Sequence, residues 1–131
     1  MLKAMHGLKI VVVDDDDLIR DVICETVRQS MAGAEVVDYA SAMQAFHEIE
    51  TGTVDLLITN CHMPDMDGPS LVRVLREEKH GLPIIMISGS DDARRLGEEA
   101  GIDRFVSKHL MHPELEESLH ALLLEPRPAA H

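Results

Sequence analysis

Tryptophan is absent from the 131 residues, and the aromatic side chains are Tyr39, Phe46 and Phe105. So few rings leave no stacking platform for single-stranded bases. Cysteine is scarce as well: Cys24 and Cys61 are too few for a disulfide framework and too isolated for a thiolate metal cage, which favours a reducing, cytosolic setting. Basic residues number 12 against 24 acidic ones, for a formal charge of −12. A chain this acidic is repelled by phosphate backbones and anionic lipid, which argues against direct binding to nucleic acid or a membrane surface. Long hydrophobic runs are also missing. The longest early one, Leu8 to Val13, contains Lys9 and stops at four aspartates, too soon for a membrane span or a signal peptide. The expectation is a cytoplasmic protein.

What is present suits one core. At this length, 45% hydrophobic residues fill a single compact domain and leave no room for a second. The organisation reads as an N-terminal extension over 1–7, a folded unit over 8–124 and a tail or linker start, EPRPAAH, over 125–131. Within the folded unit, short Val- and Ile-rich runs alternate with longer segments of helical spacing, the pattern of parallel strands joined by crossover helices. Strands are expected at 8–13, 35–39, 54–59, 83–88 and 104–107. The first helix starts near Asp17, with Leu18, Ile19, Val22, Ile23 and Val27 as its apolar stripe. The second is capped by Ser41 and buries Ala42, Ala45, Phe46 and Ile49. The third begins at Pro69 and buries Leu71, Val72 and Leu75. The fourth, from Asp91 to Ala100, has Leu96 as its single large apolar residue and is expected to be mobile. The fifth begins at Pro113 and carries Leu115, Leu119, Leu122 and Leu123. The fold class is α/β, doubly wound.

In such sheets ligands bind beyond the carboxyl ends of the strands. Asp14 to Asp17 follow strand one, Asn60 follows strand three, Ser88 and Gly89 stand at the end of strand four, and Lys108 follows strand five. An isolated acidic run reads as an acidic turn with an N-cap. Here its position, matched by a hydroxyl and a lysine on the same rim, points instead to magnesium and phosphoryl chemistry: paired carboxylates offer hard oxygens, and Lys108 and Ser88 suit phosphate oxygens.

These residues resemble the response-regulator receiver domain of two-component signalling, over about residues 8–124. KIVVVDDDDLIR is similar to its first strand and acid pair, DLLITNCHMPDMDG to its acceptor strand and loop, PIIMISGS to its switch-hydroxyl strand and RFVSK to its last strand. The resemblance implies a five-stranded parallel sheet of flavodoxin-like order 2-1-3-4-5 with helices on both faces. It also implies a Mg2+ site at Asp14, Asp15, residue 60 and the backbone carbonyl of His62, with Asp15 the direct ligand and Asp14 acting mostly through water. Ser88 takes the place of the switch hydroxyl, Phe105 of the switch ring and Lys108 of the phosphate-pairing lysine. The implied partners are a histidine kinase or phosphotransfer protein, and a downstream protein on the face of the fourth helix, fifth strand and fifth helix, including Arg94, Arg95 and Arg104.

Two positions depart from the family. The phosphoacceptor aspartate is replaced by Asn60, and a neutral carboxamide does not form an acyl phosphate, so phosphorylation is blocked. Asn60 is either a natural loss of phosphotransfer, which would make the chain a pseudo-receiver acting by protein interaction alone, or a recent or deliberate isosteric replacement. The otherwise intact rim favours the second. His109 stands where the family has a proline after the lysine; a cis bond before a non-proline residue costs about 3 kcal/mol, so a trans Lys108–His109 bond is expected, with the ammonium still reaching the acid pair.

Other readings are weaker. Asp14 and Asp16 have the spacing of a small Mg-dependent phosphohydrolase, but the chain lacks room for a substrate cap. A flavin module of this topology needs a first loop of hydroxyls and glycine, not acids. Cys61 with His62, and His109 with His112, lack zinc spacing. Met63 and Met66 read as packing beneath their turn.

Overall fold

The computed structural model describes residues 7–78 and 81–124. The tail expected over 125–131 and most of the extension before residue 8 lie outside them. In chain order the elements are β1 (Lys9–Val13), α1 (Asp17–Ser30), β2 (Glu35–Tyr39), α2 (Ala42–Thr51), β3 (Leu56–Thr59), α3 (Gly68–Glu78), β4 (Ile84–Ser88), α4 (Ala93–Ala100), β5 (Arg104–Ser107), a 3-10 turn at Lys108–Leu110 and α5 (Met111–Leu123). The sheet is parallel, in the order β2-β1-β3-β4-β5.

Period-two alternation divides the strand residues between two faces. Ile10, Val12, Leu56, Ile58, Ile85, Ile87 and Val106 pack with Ile23, Cys24 and Val27 of α1 and Leu115 and Leu119 of α5. Val11, Val13, Leu57 and Ile84 pack on the other side with Ala42, Ala45 and Ile49 of α2 and Leu71, Val72 and Leu75 of α3. β1, β3 and β4 are covered on both faces, which is why they read as unbroken apolar runs. The two thiols are buried and free, and burial pushes that of Cys24 up to about 11 and that of Cys61 above its ordinary value; both behave as small apolar fillers.

Several local expectations need correction. On α1, Leu18 is 74% exposed and Val22 43%; the inward face is Ile23, Cys24, Thr26 and Val27. The sequence is apolar on both sides of this helix, and packing against β1 and α5 selects one. Phe46 is half-buried rather than core, and so are Leu122 and Leu123. β3 starts at Leu56, two residues later than expected, and α4 at Ala93. The inward face of α4 is small, with Ala93, Gly97 and Ala100 all buried. A Cβ on Gly97 would lie 2.7 Å from Ile102 and 2.9 Å from the Met86 sulfur, so the helix lies close against the sheet through backbone instead of large side chains. α5 breaks helical geometry at His112 and runs regularly from Pro113. Gly101 ends α4 at φ +113°, a conformation L side chains rarely adopt, and donates its N–H to the Gly97 and Glu98 carbonyls.

Candidate functional site at the carboxyl edge

Asp14 leaves β1 fully buried, and its Oδ1 accepts the Asp16 N–H at 2.9 Å. Its Oδ2 is buried with no hydrogen-bond partner, although the Lys108 ammonium lies 3.7 Å away. Burial pushes the Asp14 carboxyl above its ordinary range. The Asp16 N–H bond and the Lys108 charge oppose that shift, while the charges of Asp15 and Asp16 add to it. Asp15 is exposed at the rim. Asp16 faces away: its Oδ1 caps α1, accepting Leu18 N and Ile19 N, both at 3.0 Å. The Asp14 and Asp16 carboxylates therefore do not form the pair a phosphohydrolase of that spacing requires.

Asn60, 7% exposed, follows β3 and lies among these oxygens. Its Nδ2 donates to the His62 carbonyl at 2.9 Å and lies 3.4 Å from Asp15 Oδ1 and 3.5 Å from Asp14 Oδ1. Its Oδ1 accepts the Cys61 N–H at 2.8 Å. These partners fix the amide orientation: a flip would set the NH2 group against an N–H and the oxygen against a carbonyl. Behind the pocket, the loop after Asn60 folds tightly on itself. Gly68 donates its N–H to the Cys61 carbonyl at 2.7 Å, and a Cβ at position 68 would fall 2.1 Å from the Asn60 carbonyl. Glycine is required there.

Lys108 reaches Asp14, and the sole cis peptide among the described residues is His112–Pro113, so Lys108–His109 is trans. The remaining rim residues make no hydrogen bond to this group among the described residues. Ser88 Oγ accepts the Ser90 N–H at 3.2 Å, and no hydrogen bond joins it to Asn60 among the described residues. Phe105 is half-buried with the Arg94 guanidinium 4.7 Å above its ring. Ser88, Phe105, Arg94, Ser107 and His109 line one cavity of about 260 Å3 beside the pocket.

Three supporting groups escaped the sequence reading. Arg20 donates to the Asp14 carbonyl and to Asp38 Oδ2, both at 2.8 Å, and pairs with Asp17 at 2.8 Å, fixing the acidic turn to β2. Its position four residues after the capping aspartate is the signal that would have revealed it. Asp65, in the loop after β3, accepts Ser41 Oγ at 2.7 Å, Met43 N at 3.0 Å and Ala42 N at 3.3 Å, and these bonds hold its carboxyl down to about 2. The Cys61 N–H carries no sequence signal at all.

A family model for the response regulator receiver domain matches residues 10–120. The chain belongs to this family. This receiver is 34% identical over 117 residues to the cyclic di-GMP phosphodiesterase response regulator RpfG of Xanthomonas campestris, covering 86% of this chain and 31% of that protein. It is 38% identical over 117 residues to the probable transcriptional regulator ycf27 of Cyanophora paradoxa, covering 88% and 48%. The receiver thus spans 31% to 48% of the length of these relatives. Among solved structures, it resembles the Francisella response regulator 1452 receiver domain, at 26% identity and TM-score 0.78, with 88% of this chain and 96% of that one covered. It also resembles TrrA of Thermotoga maritima in complex with Mg(2+)-BeF, at 27% identity and TM-score 0.80, with 88% and 99% covered. As a receiver with Asn60 at the acceptor position, the chain lacks the carboxylate through which the family takes up phosphate.

The acidic cluster typical of the family is only partly present. Among the described residues, no three His, Cys, Asp or Glu side chains are placed to hold a metal ion. The buried, unpartnered Asp14 Oδ2 would suit a cation, but Asn60 directs NH2, not oxygen, at Asp14, Asp15 and the His62 carbonyl. With Asn60 in this orientation, the donor set does not fit Mg2+, which needs oxygen ligands at about 2.0–2.1 Å. No helix among the described residues is long and apolar enough to cross a membrane.

Proposed function

We propose that this receiver is a signalling module of a cytoplasmic two-component pathway, read by a protein partner and blocked from phosphotransfer at residue 60. The carrying observation is the Asn60 carboxamide among Asp14, Asp15 and the His62 carbonyl, with Lys108 pairing to Asp14 from the turn after β5. Ser88, Phe105 and Lys108 have the switch-hydroxyl, switch-ring and phosphate-pairing roles. A histidine kinase or phosphotransfer protein is the upstream partner. The downstream partner docks on α4, β5 and α5, where Arg94, Arg95 and Arg104 are exposed and Arg104 stands beside the acidic α5 residues Glu116 and Glu117. With Asn60→Asp, Asp14, Asp15 and the His62 carbonyl would complete a Mg2+ site together with the new carboxylate.

Labelling by a small phosphodonor such as phosphoramidate, with MgCl2 present, tests this reading. The Asn60→Asp variant is expected to gain one acid-stable, base-labile phosphoryl group, while the unaltered chain gains none at residue 60. A folded Asn60→Asp variant that binds magnesium yet stays unlabelled would overturn the assignment.

A further inference from the structure

We infer that the Asn60 carboxamide is more than a missing nucleophile: its NH2 group acts as a resident stand-in for a cation, keeping divalent metal out of the pocket and making its ground state independent of metal. The inference rests on the receiver reading and deepens it. Three oxygens converge on one nitrogen: the His62 carbonyl at 2.9 Å, Asp15 Oδ1 at 3.4 Å and Asp14 Oδ1 at 3.5 Å. An amide nitrogen has no lone pair available to a metal, and its two hydrogens bear the positive charge these oxygens face.

Binding a cation to these oxygens would require the carboxamide to turn over and present Oδ1. That turn breaks the bond from the Cys61 N–H, 2.8 Å long and buried, as well as the bond to the His62 carbonyl, and it sets NH2 against N–H. A buried donor left without an acceptor is expensive. Exclusion of metal is therefore an active property of the amide, distinct from the loss of a carboxylate ligand.

Loss of a ligand alone predicts that Asn60→Ala binds Mg2+ no better than the unaltered chain, because alanine restores no oxygen. Exclusion by the amide predicts that Asn60→Ala binds about two- to tenfold tighter, since the hydrogen bond to the His62 carbonyl no longer has to be broken. Titration calorimetry with MgCl2 on folded unaltered chain, Asn60→Ala and Asn60→Asp separates the two. An alanine variant no tighter than the unaltered chain, alongside a tight aspartate variant, overturns the inference and leaves the receiver reading intact. Failure of the aspartate variant to bind removes the reading itself. Should Asn60→Ala not fold, the Asn60 side-chain amide resonances of the unaltered chain decide: they are expected to stay in place through millimolar MgCl2, and a saturable shift overturns the inference.

Discussion

A single nitrogen in place of an oxygen at residue 60 changes the electrostatics of the whole rim. In Asn60→Asp, a carboxylate takes the place of an amide whose nitrogen lies 3.4 and 3.5 Å from the Asp15 and Asp14 oxygens. With charge centres about 5 Å apart and an effective dielectric of about 20, each pair would repel by roughly 3 kcal/mol, an upper figure because Asp15 faces water. Urea denaturation in the presence of a chelator is expected to show Asn60→Asp less stable than the unaltered chain by about 1–3 kcal/mol. Equal or greater stability would contradict this account. Residue types and positions on this rim were legible in the sequence, because strand ends announce themselves: Asp14, Asn60, Ser88 and Lys108 each terminate or follow an apolar run. The direction in which each side chain points was not. Asp16 belongs to the same acidic run but is engaged as a helix cap, and the Asn60 orientation depends on the Cys61 backbone N–H, which no side-chain pattern encodes.

At the scale of elements, Asp65 joins the loop after β3 to the start of α2, where it accepts from Ser41, Ala42 and Met43. Its carboxyl titrates near 2 in the folded chain against an ordinary value of 3.8. A folded-state value below the unfolded one means that its stabilising contribution is complete above about 4 and fades as pH falls toward 2. Asp65→Ala is expected to cost about 1 kcal/mol at neutral pH, as for loss of a helix cap, and progressively less in acid. Denaturation of both proteins across that range checks this; a constant difference would show that the charge is irrelevant. Strand positions were readable because buried parallel strands are continuous Val and Ile runs. Helix faces were less so: α1 has apolar residues on both sides, and burial favours Ile23 and Val27 over Leu18 and Val22 only because β1 and α5 lie there. For α4, a scarcity of large residues reads as weak packing, yet Ala93, Gly97 and Ala100 allow the helix to approach Met86 closely.

For the molecule as a whole, a formal charge of −12 is carried by 131 residues, and the acidic residues repel one another whenever the chain is compact. Raising NaCl from low ionic strength to about 0.15 M, where the Debye length is about 8 Å, is expected to raise Tm by about 3 °C or more. A melting temperature that is flat or falls over that range would mean that the ion pairs at Arg20 and Arg76 outweigh the repulsion. The doubly wound topology followed from the alternation of strand and helix segments alone, since four crossovers between five parallel strands leave few arrangements that cover both sheet faces. The Gly68 contact has an effect at this larger scale. With no clearance between the first turn of α3 and the main chain of residue 60, a single methyl group at position 68 would have to push the helix start off the strand end, so a change made behind the pocket is expected to disturb it without touching any of its polar atoms.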